Sequence, residues 1–186
     1  MQPPGITRAR RPFLAPLWVG AIVLVVSVAL LFAAFRLGAH WFGGTTTVIV
    51  LRHAEKSTEQ TDPSLSAAGH ERAARLATLL AQTGVAAIYV SDTRRARETV
   101  KPLARRLDVQ VAEYPGREID HLATRLLDRH RGQTVLVVGH SNTVPQLLAT
   151  LTGGRYVTRL DEDEFDGLYL VSVNRFDPPA VLLLRY

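Results

Sequence analysis

The sequence contains no cysteine among its 186 residues. That excludes a disulfide framework, a thiolate metal site and a cysteine nucleophile. Acidic residues are missing from the first 44 positions, where Arg8, Arg10, Arg11 and Arg36 are the only charged side chains. Residues 45–186 hold 18 basic and 17 acidic residues, so the basic balance belongs to a short tail beside a nearly neutral body. A general nucleic-acid grip does not fit that distribution, and no nucleic-acid partner is expected. A hydrophobic share of 47% excludes a disordered chain, and 13 glycines with 10 prolines exclude a collagen.

What the tail has instead is apolar length. Leu17 to Phe35 is a run of 19 residues without charge, interrupted only by Gly20 and Ser27. As a helix it spans roughly 28 Å, about the hydrocarbon thickness of a bilayer. Trp18 stands at one end and Trp41 just beyond the other, where amphipathic aromatics favour the interface. Ala33-Ala34-Phe35-Arg36 offers no small-x-small cleavage site, which favours a retained anchor over a cleaved signal peptide. Arg8, Arg10 and Arg11 ahead of the span predict a cytoplasmic N-terminus and a body on the exported side. The expected organisation is a basic N-terminus (1–16), a transmembrane anchor (17–37), a linker (38–45) and one domain (46–186).

In that domain, apolar runs alternate with helical patterns. Thr47 to Leu51, Ala87 to Val90, a weaker Val109 to Val111, Thr134 to Val138, Leu168 to Val173 and Val181 to Leu184 read as strands. Between them, helices are predicted from Ser66 as N-cap to a stop at Gly84, over Thr93 to Leu107 despite Pro102, over Ile119 to His130, and over Thr143 to Leu151 with Pro145 in the first turn. The fold class is α/β: three layers, α/β/α, around a mostly parallel sheet. The acidic run Asp161 to Asp166 reads as a solvated loop rather than a metal site.

The chemistry collects where strands end. Arg52-His53-Ala54-Glu55-Lys56 follows the first strand, Ser91-Asp92-Thr93-Arg94-Arg95 the second, and Gly139-His140-Ser141-Asn142 the fourth. In an open parallel sheet, ligands bind beyond the carboxyl ends of the strands. Arg52, His53, Arg95 and His140 would there form a cationic pocket suited to a phosphate dianion, since guanidinium matches phosphate oxygens bidentately. Ser141 and Asn142, ahead of the next helix, are candidate phosphate-binding residues beside that helix's N-terminal amides. Gly139 is expected to let the backbone approach a ligand closely.

Four segments in order carry a resemblance. Leu51-Arg52-His53-Ala54-Glu55, Leu65-Ser66-Ala67-Ala68-Gly69, Ser91 to Thr99 with Arg95-Ala96 at its centre, and Val138-Gly139-His140-Ser141-Asn142 resemble the signature elements of the histidine phosphatase superfamily, also called phosphoglycerate mutase-like. The resemblance covers about residues 46–152, with Ala54 where the family usually has glycine. It implies a phosphatase in which His53 is the nucleophile and passes through a phosphohistidine, while Arg52, Arg95 and His140 hold the phosphoryl oxygens. It selects Arg95 over Arg94, because the family's arginine directly precedes an alanine. It implies no metal and no cofactor, and a phosphorylated substrate that the residues leave unidentified. For the proton donor to the leaving group it offers Glu113, after the third strand, with Glu55 as rival. The other expectations are a phosphate-binding or scaffold protein that kept the fold, and a phosphomutase, for which the domain is small.

Overall fold

A computed structural model describes residues 17–42 and 44–186. Arg8, Arg10 and Arg11 lie outside the described residues, as does the side chain of Trp41. The chain divides into two units, residues 1–39 and 40–186. The first holds most of helix α1 (Leu17–Phe42), which runs five residues past the expected end of the span at 37. Its window Trp18–Arg36 has a mean hydropathy of 2.6 and none of it is buried. The helix is long and apolar enough to cross a membrane.

The second unit is built on one six-stranded sheet among the described residues, with strand order β3-β2-β4-β1-β5-β6. Its strands are β1 (Thr46–Arg52), β2 (Val85–Ser91), β3 (Val111–Tyr114), β4 (Thr134–Gly139), β5 (Gly167–Val173) and β6 (Ala180–Arg185). Pairings β1–β4, β4–β2 and β2–β3 are parallel; β1–β5 and β5–β6 are antiparallel. The apolar runs are continuous because both faces of the sheet are covered. Val48, Val50, Val135 and Val137 point to one face and pack with residues of α4 (Ile119–Arg129) and α5 (Thr143–Leu151). Ile49, Leu51, Leu136 and Val138 point to the other and pack with residues of α2 (Ala67–Leu79) and α3 (Arg94–Leu107). The architecture is thus the expected α/β/α sandwich.

Two expectations shift. The third strand lies at Val111–Tyr114 rather than Val109–Val111. Asp108 takes a left-handed turn at φ 53° to end α3, and the chain pairs with β2 only after that turn. Gly139 does not open the backbone to a ligand. A Cβ there would lie 2.6 Å from Thr143 Oγ1 and 3.0 Å from the Tyr114 hydroxyl, so the space belongs to the protein's own side chains.

Ser66 caps α2 as expected, its hydroxyl accepting from the Gly69 N–H at 3.1 Å. Gly69 explains why this helix start matters to the loop after β1. A Cβ on Gly69 would stand 2.2 Å from the Glu55 carbonyl oxygen, a backbone atom with no freedom to yield. The helix therefore presses its backbone onto the chain two residues past His53. Gly69→Ala is expected to destabilise the domain by about 2 kcal/mol through this overpacking, read as a lowered midpoint in denaturant unfolding followed by near-UV circular dichroism. An unchanged midpoint would show that the two backbones are not in contact.

Candidate active site

Parallel pairing levels three strand ends. Arg52 of β1 faces Gly139 of β4, and Val138 of β4 faces Val90 of β2. The residues that follow therefore emerge on one edge, and the His53 N–H donates to the Gly139 carbonyl at 3.0 Å as a last rung between β1 and β4.

There the four basic side chains converge. The rings of His53 and His140 stand 5.2 Å apart, edge to face. Arg95 bridges them: its Nε donates to His53 Nε2 at 3.0 Å, and its Nη2 lies 3.4 Å from His140 Nδ1. His53 Nδ1 lies 2.7 Å from the Ala54 carbonyl oxygen. A carbonyl only accepts, so Nδ1 carries the proton and Nε2 keeps its lone pair. In neutral His140 the same reasoning puts the proton on Nε2, because a guanidinium only donates.

The electrostatics favour neutral rings. Burial, above all, pulls the His53 pKa down to about 3; the hydrogen bond to Ala54 opposes this, and the charges of Arg95 and Arg52 and neighbouring His140 add to it. For His140 burial again leads, followed by Arg95 and Arg52, and the pKa falls to about 4 although Asp92 pushes it up. The nucleophile candidate is thus an unprotonated imidazole nitrogen set in a positive field.

Supports below the rings were invisible as single residues. The buried Thr99 hydroxyl accepts from the Ala54 N–H at 3.0 Å and donates to the Arg95 carbonyl at 2.8 Å, tying the His53 loop to α3. Ala54 is fully buried against Leu65 and Ala73, so the methyl group in place of the family's glycine has its own niche. The Thr143 hydroxyl accepts from the His140 N–H at 2.8 Å, which fixes the second imidazole at the start of α5. Ser141 is half-buried and Asn142 exposed in the turn between His140 and α5. Thr99 was legible as the last position of the Ser91 to Thr99 segment; Thr143 gave no signal.

Arg52 is almost wholly buried, and its surroundings correct the reading of the acidic run. Residues 161–166 are not a purely solvated loop. The carbonyls of Asp161 and Glu164 accept from Arg52 Nη1 at 2.8 and 3.2 Å, and the Phe165 ring lies 4.2 Å from Cζ. Phe165 also stands 6.0 Å from the His53 ring. Arg52 Nε is buried with no hydrogen-bond partner among the described residues. The cause is topological: β5 runs antiparallel to β1, so the segment that precedes it arrives where β1 ends.

Both candidate acids are engaged elsewhere. Glu113 is ion-paired with Arg97 at 3.2 Å on the outer side of α3. Glu55 is held by Arg72, with Nη2–Oε1 at 2.6 Å and Nε–Oε1 at 2.9 Å. No contact of either with the four basic residues is present among the described residues, and no group of metal-ligating side chains is found there either.

The tautomers and pKa values have a direct test. In a histidine-labelled sample, the His53 ring is expected to show the Nδ1–H tautomer at pH 7 and no protonation down to about pH 4; a midpoint of 6 to 7 would contradict the buried cationic pocket. The unfolded chain takes up these protons near pH 6.5, so this contribution to stability is complete above that pH. It is lost progressively as the pH falls toward 4 and then 3.

Comparison with known proteins follows the same line. Residues 48–123 match the family model "histidine phosphatase superfamily (branch 1)". No curated protein matches the chain. Among solved structures, the protein histidine phosphatase SixA complexed with tungstate superimposes with a TM-score of 0.62 at 17% identity, covering 75% of this chain and 96% of that one. A mycobacterial glucosyl-3-phosphoglycerate phosphatase does so at 0.60 and 16%, covering 76% and 98%. These likenesses are of fold. Together with the family match, they show that residues 48–123 resemble the histidine phosphatase superfamily and that the domain has the α/β fold of the phosphatases it superimposes on.

Proposed function

We propose that the domain is a membrane-anchored, metal-independent phosphohydrolase acting through a phosphohistidine on His53. The observation that carries the reading is the His53 ring itself. Its Nδ1 proton is tied to the Ala54 carbonyl, and its Nε2 lone pair faces a guanidinium inside a buried pocket. When Arg95 Nε exchanges its hydrogen bond to His53 Nε2 for one to a phosphoryl oxygen, the freed lone pair attacks phosphorus in line; the N–P bond forms as the P–O bond to the leaving group breaks. Arg52, Arg95 and the His140 Nε2–H stabilise the negative charge on the equatorial oxygens. Water then attacks, the N–P bond breaks, inorganic phosphate leaves, and His53 returns to its neutral tautomer.

The leaving group departs with the bonding electron pair. Glu113 and Glu55, the two carboxyls considered for protonating it, are both held by arginines. The favoured substrates are therefore phosphoryl compounds whose leaving group is stable without a proton, such as acyl phosphates, the phosphoanhydrides whose carrier bears no second phosphate, over simple alkyl esters.

The test uses the full chain in non-ionic detergent. It should hydrolyse p-nitrophenyl phosphate equally well with and without EDTA, and His53→Ala should lower the rate at least about a thousandfold while leaving the circular dichroism spectrum unchanged. Brief exposure to radioactive substrate should leave a label on the denatured protein that survives alkali and is lost in acid. Full activity in the alanine variant, or activity abolished by EDTA, defeats the mechanism.

The anchor reading is supported by the apolar window of α1 and by the arginines that precede it. The N-terminus would stay cytoplasmic and the domain would face the exported side. In alkaline carbonate extraction the protein should stay with the membrane pellet, and external protease should reach the domain in spheroplasts. Release into the supernatant as a shortened chain would instead mark the helix as a cleaved signal.

A further inference from the structure

The cationic pocket is ringed by acid. Each of its two guanidinium groups faces one carboxylate, and the two carboxylates come from different loops. Glu162 Oε2 lies 3.8 Å from Arg52 Nη2, and Asp62 Oδ1 lies 3.9 Å from Arg95 Nη1. Both distances exceed a hydrogen bond, so neither pair closes the site. The Glu162 side chain is 87% exposed and the Asp62 side chain 47%, whereas Arg52 behind them is 3% exposed. Asp161 and Asp163, on either side of Glu162, are exposed as well. Behind this rim Arg52 Nε is buried without a partner among the described residues, beside the Nη1 that the Asp161 and Glu164 carbonyls already occupy.

The charges suit one phosphoryl group and no more. With both imidazoles neutral, the pocket's positive charge is that of two guanidinium groups, which a phosphate dianion balances. Glu162 and Asp62 are the carboxylates that face those two guanidinium groups, so a group attached to that phosphate comes under their charge. Asp62 also lies 3.9 Å from the half-exposed Arg97 Nη2, so the repulsion felt by a carrier with further phosphates falls mainly on Glu162.

We propose that Glu162 and Asp62 form a charge filter that admits a terminal phosphoryl group on a neutral or positively charged carrier and rejects polyanionic carriers such as nucleotides, bisphosphorylated sugars and inorganic polyphosphate. The inference rests on the phosphohydrolase reading and narrows its substrate class. Asp62 also accepts from the Arg94 N–H at 3.0 Å at the start of α3. Asparagine keeps that acceptor while removing the charge, so Asp62→Asn is the substitution of choice.

The experiment compares the full chain with the Asp62→Asn/Glu162→Gln double variant in non-ionic detergent at low salt. Affinities for orthophosphate and for non-hydrolysable methylenediphosphonate are measured by calorimetry. The double variant should shift the ratio of the two affinities toward the diphosphonate by at least about fivefold, the size expected for one or two added charges at roughly 7 Å from the rim in a water-like dielectric. The exposed Glu162→Lys alone should move the ratio in the same direction even if the double variant folds poorly. A ratio that stays constant, whether both affinities rise together or neither moves, overturns the filter and leaves the phosphohydrolase reading intact. Absence of orthophosphate binding in all three proteins, with no hydrolysis of p-nitrophenyl phosphate, defeats that reading and the filter with it.

Discussion

Arg95 touches both imidazoles, and the site is organised around that contact. Its Nε fixes the proton-free nitrogen of His53, and its Nη2 faces that of His140. Burial keeps both rings neutral, and the Arg95 charge adds to that effect. The Ala54 carbonyl sets the His53 tautomer, and Arg95 sets that of His140. The orientation of Arg95 depends in turn on Thr99, whose hydroxyl links the Arg95 carbonyl to the backbone after His53. Helix α3 and the loop after β1 are thereby joined by one hydroxyl group placed under the pocket.

The second guanidinium is held differently. Arg52 lies at the floor, with two backbone carbonyls on one nitrogen and an aromatic face against its plane. Burial lowers its pKa, with Glu162 opposing that shift, yet a guanidinium remains charged under all working conditions. The pocket therefore combines two permanent charges with two imidazoles kept neutral. That division places a neutral ring with an electron pair inside a positive field, which is what the proposed attack on phosphorus requires.

How much of this the sequence disclosed follows from the physics of each part. The buried parallel strands were legible because residues covered on both faces leave unbroken apolar runs. Arg52, His53 and His140 were legible because each stands at the end of such a run, and Arg95 because it falls in the Ser91 to Thr99 segment that follows another. The third strand was misplaced because a left-handed turn at Asp108 shifts where pairing begins, and a lone aspartate in a polar stretch gives no warning of that. Glu113 and Glu55 looked available because each sits near the right strand end. Which arginine holds a carboxylate is decided by side-chain reach across space, which linear order does not encode. The role of residues 161–165 was hidden for another reason: it depends on β5 running antiparallel to β1, and apolar patterning does not report a strand's direction.

That antiparallel strand bears on the order in which the protein becomes complete. The Asp161 carbonyl that holds Arg52 lies 109 residues further along the chain. As synthesis proceeds from the N-terminus, β1, α3 and β4 can assemble while Arg52 still has no acceptor for its Nη1. His53 and its bridging guanidinium can thus be in place before the floor of the pocket is sealed. The pocket floor is therefore completed only when the segment ahead of β5 has been made, well after the strands that carry the two histidines.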